Sequence, residues 1–186
     1  MFFMTRFALH SQFVIILMLM LALQGCFGTI DKRGSVRGYD DGVVKTVGGQ
    51  FLVTPLSKDW EKKQVGRRAL LFQNRNDQAT ITISSWCKRA FDDGSPKSLS
   101  EQLYYGLDKF KVVDEAEVPL GGRMGYVMEA RGELDSAPIH LKSYVVKMNE
   151  CVFDFLYVTS PERKTSVGDF DRMVSGFKYV KGPGVL

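Results

Sequence analysis

Apolar and polar positions change their period several times along the chain. Residues 51–54 form a short apolar stretch stopped by Pro55, with Trp60 in the loop behind it, and residues 69–74 form a second such stretch. After the polar turn Asn74-Arg75-Asn76-Asp77, residues 78–87 alternate: Ala79, Ile81, Ile83 and Cys87 share one side, and Thr80, Thr82, Ser84 and Trp86 the other. That is a strand with one face inward. The period then becomes helical. Ser98 with Glu101 makes a capping-box pattern, and Leu99, Leu103, Leu107 and Phe110 make one stripe. Strand patterns return at residues 112–118, 124–132, 139–148 and 151–159. The last two flank Asn149-Glu150, a tight turn that pairs them antiparallel. Ser166 and Asp169 repeat the capping box ahead of Val167, Phe170, Val174 and Phe177, a second amphipathic helix. Strand follows strand directly, so the pattern predicts an α+β fold. Its sheet should be largely antiparallel, with six or seven strands flanked by two or more helices.

The first residues obey another logic. Residues 13–23 are unbroken apolar, behind Arg6 and the amino terminus. As a helix they would rise only about 16 Å, against a hydrocarbon core of ~30 Å. They suit the apolar region of a secretory signal instead. The run ends at Leu23, and Leu23-Gln24-Gly25-Cys26 resembles the lipobox of bacterial lipoproteins. The resemblance implies removal of residues 1–25, a diacylglyceryl group on the Cys26 thiol and acylation of its new amino group. Several acyl chains hold a protein stably where one binds reversibly. Phe27 rather than an aspartate comes next, which by the enterobacterial pattern implies the outer membrane, facing the periplasm. An ordinary cleaved signal is the competing reading. Cutting after Gly25 would put Leu23 at a position that wants a small residue, and cutting after Gly28 would put Cys26 there.

Of 186 residues, the 161 after the signal carry a net charge of +3. That length suits one domain burying roughly 70% of its unfolded surface. The charge is too small to argue for nucleic acid. Residues 27–50 hold six glycines, so residues 26–50 are expected to be a flexible tether. A folded domain over residues 51–180 and a short tail over 181–186 complete the organisation.

The order of parts is similar to that of the PsbP-like superfamily, which includes DcrB-type bacterial envelope proteins. The resemblance is carried by the aromatic strand ending at Pro55, Trp60, the Ser98-to-Leu103 helix, Gly125-Tyr126, two long strands, and Ser175-Gly176-Phe177. It implies a PsbP-like sandwich of antiparallel sheet and helices with a binding or scaffolding role. It names no ligand and carries over no metal-binding residue.

Chemistry is sparse. After the signal, His140 stands alone on a predicted strand, without the three or four ligands that zinc requires, and is expected to be a structural or surface residue. No nucleophile elbow, phosphate loop or His-Glu-x-x-His occurs. Asp40-Asp41 and Asp92-Asp93 each precede glycine, as turns do. The Asn74-to-Asp77 run lacks the glycine and distal glutamate of a calcium loop. Asp154 lies with Val152, Leu156 and Val158, either near an edge or hydrogen-bonded. Cys87 and Cys151 are either a disulfide or two small buried hydrophobes. Lys62-Lys63 and Arg67-Arg68 read as a solvated basic loop. The expected protein is therefore non-enzymatic and takes no cofactor. It is held to a membrane by acyl chains on Cys26 and binds another envelope protein. The alternative is a small-molecule or metal-binding periplasmic module.

Overall fold

The computed structural model describes residues 35–65, 69–87, 94–163 and 165–181, without the side chains of residues 64, 65 and 181. The strands are β1 (Val36–Asp40), β2 (Val43–Thr46), β3 (Gly49–Leu52), β4 (Trp60–Val65), β5 (Ala69–Asn74) and β6 (Thr80–Cys87). Helix α1 (Pro96–Gln102) leads to β7 (Asp108–Leu120), β8 (Arg123–Leu134), β9 (Ala137–Met148) and β10 (Cys151–Thr159). Helix α2 (Val167–Ser175) and β11 (Lys178–Lys181) complete the order. Seven strands form one sheet in the order β4-β5-β6-β10-β9-β8-β7, and four form a second in the order β1-β2-β3-β11. Every pairing is antiparallel. The α+β class and the seven-stranded antiparallel sheet are as the hydrophobic periods predict.

The two faces of the large sheet bury different things. On one, Ile81, Ile83, Phe153, Phe155 and Tyr157 meet Phe51 of the small sheet and Phe170, Met173 and Phe177 around α2. Phe51 is the hub, with its ring 5.2 Å from Phe153 and 5.7 Å from Phe177. On the other, α1 lays Leu99 on Val145 and Val152, while Tyr104 after it joins Met128, Ala130 and Leu141.

Four expectations need correction. Residues 36–50 belong to the fold and not to a tether. Gly42 and Gly48 lie in hairpin turns: Asp41 (φ 40°) and Gly42 (φ 86°) join β1 to β2, and a Cβ at Gly42 would lie 2.5 Å from the Val53 carbonyl. The strands between the turns bury Val44 and Phe51 completely. The first helix is shorter than its stripe. It starts from Ser95, whose Oγ accepts from Ser98 N–H at 3.1 Å, and gives way to Gly106 at φ 90°. Phe110 returns on β7 to place its ring 5.3 Å from Tyr104, so a strand residue completed the helical spacing. Trp60 opens β4 and is buried, so Lys62 and Lys63 lie on a strand, while Arg67 and Arg68 fall outside the described residues. Finally, Ser166 starts α2 without a side-chain cap.

Candidate functional site

Each residue singled out by sequence has a definite place, apart from Leu23 to Phe27 with Cys26, Arg67-Arg68 and Asp92-Asp93, which lie outside the described residues. The β6–β10 register sets Cys151 opposite Cys87, and the two form a disulfide with Cα atoms 4.1 Å apart. His140 is fully buried on β9, its Nε2 3.1 Å from Glu129 Oε1. A general base must reach a substrate proton, and this imidazole is sealed from solvent. Among the described residues no three His, Cys, Asp or Glu side chains come together as metal ligands.

Asp154 lies on β10 between β6 and β9, in the middle of the large sheet and far from either edge. Ser84 Oγ donates to it at 3.2 Å. Burial nonetheless pushes its carboxyl up to about 6, with the bonds from Ser84 and Trp86 acting in the opposite direction. Asp77 instead ends the β5–β6 turn: it accepts from Ala79 N–H, Thr165 Oγ1 and Ser166 N–H at 3.1–3.2 Å. The Asn74-to-Asp77 run therefore ties the turn to the start of α2. Ser166 Oγ lies 3.1 Å from Tyr157 Oη and makes no cap bond to its helix.

Two groups of polar contacts, one on each face of the large sheet, were not legible in the pattern. Ser100 on α1 and Ser143 on β9 are both fully buried with Oγ atoms 2.8 Å apart, and Tyr104 Oη donates to Ser143 Oγ at 2.8 Å and to the Met128 carbonyl at 2.9 Å. Burial drives the Tyr104 phenol up to about 12. This hydroxyl network locks α1 to the sheet. On the other face, Trp60 Nε1 donates to Asp169 at 3.0 Å, and Lys142 and Tyr144 donate to Asp171 at 2.8 and 3.0 Å. These bonds fix α2. A cleft beside Trp60 is lined by Lys58, Asp59, Glu61, Arg75 and Asn76, and Arg75 Nε already binds Glu61 at 2.8 Å. The first two groups hold the helices to the sheet, whereas the Arg75–Glu61 pair is an exposed surface contact.

The accessible chemistry lies on the surface. Of the large hydrophobics exposed among the described residues, Tyr105 (82%), Phe110, Val112, Val113 and Leu134 gather around the α1–β7 connection and the β7–β8 pair. Strand β7 closes one edge of the large sheet and is exposed from Asp108 to Glu117. Its register shifts between Asp108 and Lys111 and again between Val112 and Asp114. Bulges, charges and Pro119 are how an edge strand is defended against pairing with another chain.

No family model matches the chain, and no curated protein does. Among solved structures it is similar to the solution structure of cyanobacterial PsbP (CyanoP) from Synechocystis. The TM-score is 0.53 and the identity 16%, over 84% of this chain and 98% of that one. It is also similar to LpqN, described as involved in cell envelope biogenesis of Mycobacterium tuberculosis, with TM-score 0.47 and 15% identity over 70% of this chain and 83% of that one. A protein of unknown function from Pseudomonas aeruginosa gives TM-score 0.47 and 11% identity over 76% and 95%. The likeness to CyanoP is one of fold: the chain has the PsbP-like α+β architecture. No helix among the described residues is long and apolar enough to cross a membrane.

Proposed function

We propose that this chain is a lipid-anchored envelope protein whose PsbP-like domain is a non-catalytic binding module for another protein. Cys26 carries the acyl chains and moors the domain to the outer membrane on its periplasmic side. Confinement to that surface raises the domain's effective concentration toward partners there. The observation that carries the binding role is the concentration of exposed apolar side chains, Tyr105, Phe110, Val112, Val113 and Leu134, along the edge strand β7 and its flanks. Apolar side chains concentrated on one exposed edge support an interaction role. Because bulges and charges guard the β7 backbone, the partner reads side chains and does not add a strand. The buried state of His140 supports a non-enzymatic reading.

The test is a photoreactive group at position 105 or 110 of the acylated protein, in the membranes it occupies, with position 73 as an exposed control on β5. A discrete adduct is expected at the patch, absent from position 73 and lost with Cys26→Ser. No adduct at either patch position, or the same adducts at all three, rejects the reading.

A further inference from the structure

The two edges of the large sheet differ. At the β4 edge, Lys62 Nζ reaches the Tyr39 carbonyl of β1 at 3.5 Å, and the Tyr39 ring stands 5.0 Å from Phe72 of β5, so the small sheet leans over it. At the β7 edge, every residue from Asp108 to Glu117 is exposed. Register decides which side chains share a side there. Val112 lies opposite Ala130, Glu115 opposite Met128 and Glu117 opposite Tyr126, and all three partners are buried in the cluster with Tyr104. The Phe110 ring stands 5.3 Å from that same Tyr104. Phe110, Val112, Glu115 and Glu117 therefore project from the side of the edge that carries α1. Lys111, opposite Arg131, projects from the other side.

Charge is segregated in the same part of the chain. Residues 101–135 hold eight carboxylates against four cations, whereas the other residues hold 13 carboxylates against 21 cations. Of those four cations, Lys109 is bound to Glu133 at 2.7 Å, Lys111 and Arg131 neighbour each other on the far side, and Arg123 stands at the β7–β8 turn. Lys97 of α1 binds Glu115 at 2.9 Å. Glu101, Asp114, Glu117 and Asp135 are exposed and make no ion pair among the described residues. Asp114 directly follows the exposed Val113, and Asp135 the exposed Leu134. Carboxylates at the rim of an apolar surface steer basic partners toward it and turn acidic ones away. Lysine and arginine suit such a rim doubly, because their stems pack on apolar side chains while the charged heads stay in water.

We propose that the β7 edge takes a basic polypeptide segment of another protein, one that interleaves lysine or arginine with apolar side chains. Its apolar side chains meet Tyr105, Phe110 and Val112, and its cations meet Glu101, Asp114 and Glu117. The inference rests on the binding role proposed above and adds the chemistry of the partner.

The test places a benzophenone amino acid at position 105 of the full-length protein, in the membranes it occupies, and sequences the cross-linked segment by mass spectrometry. The expected segment carries an excess of Lys and Arg interleaved with apolar residues. Glu101→Gln/Glu117→Gln should lower the yield of that adduct several-fold. Glu162→Gln, which removes an exposed acid between β10 and α2, should leave the yield unchanged. Salt at about 0.5 M, where the Debye length falls to a few ångströms, should lower the yield as the double variant does. The salt arm needs no substitution, so a misfolded variant does not decide the outcome. A segment without cationic excess, or a segment of a second copy of this chain, overturns the proposal and leaves the binding surface standing. A yield indifferent to salt and to the double variant, or lowered equally by Glu162→Gln, overturns it too. Absence of any adduct at positions 105 and 110 removes the binding role itself, and this inference with it.

Discussion

Desolvation is what raises the Asp154 carboxyl, and a raised carboxyl has a definite signature in stability. Between about pH 4 and 6 the folded state keeps a proton that the unfolded chain has already shed. Stability therefore falls as pH rises through that window and stays lowered above it. A shift of about two units corresponds to roughly 3 kcal/mol. Asp154→Asn keeps an acceptor for Ser84 and removes the charge, so it should raise neutral-pH stability by up to that amount and flatten the pH dependence. Urea denaturation between pH 4 and 7.5 checks both, and a variant weaker than the parent at neutral pH contradicts the account. Ser143 is the converse case, a buried polar residue whose bonds are made. Ser143→Ala takes from Ser100 Oγ its hydroxyl partner across the α1–β9 contact, while Tyr104 keeps the Met128 carbonyl. The expected loss is about 1–3 kcal/mol by the same titration.

At the scale of elements, the seams carry the stability. Gly176 comes after α2 where Thr54 crosses, and a Cβ there would sit 2.2 Å from Thr54 Oγ1 and 2.6 Å from Thr54 N. That same N–H bonds the Met173 carbonyl at 3.0 Å. Gly176→Ala should therefore open the α2–β3 seam and cost about 1–3 kcal/mol, the range for forced overpacking. Cys87 and Cys151 tie β6 to β10 over a sequence separation of 64. Closing a loop of that length contributes about 4 kcal/mol in the chain-entropy model. Reduction should add two protons by mass and lower the denaturation midpoint accordingly. An unchanged mass on reduction would mean free thiols. The long strands β8, β9 and β10 were legible because alternation over nine or more residues has no helical counterpart. The end of α1 was not, because Phe110 sits at helical spacing while belonging to β7. The hydroxyl network of Ser100, Tyr104 and Ser143 joins residues some 40 positions apart, which no local pattern encodes. Asp154 was legible as a carboxylate on an apolar face, but its central position required the strand order.

For the molecule as a whole, the decisive question is where the folded unit begins. Glycine content assigns residues 27–50 to slack chain, yet glycines in pairs of short strands are what hairpins need. The strands they join cover the core: Val36 is buried, Val44 completely so, and the Tyr39 ring stands 5.0 Å from Phe72. A chain beginning at Phe51 would lose β1 and β2, turning β3 into a bare edge and exposing Phe51 and Phe72 to water. Burial of two aromatic rings is worth several kcal/mol, by roughly 25 cal/mol per Å² of apolar area, comparable to much of a small domain's stability. Such a fragment should lack a cooperative melting transition and associate on a sizing column. A chain beginning at Ser35 should melt with the transition of the longer protein. If the fragment from Phe51 melted as sharply and at the same temperature, β1 and β2 would be ornaments on the fold.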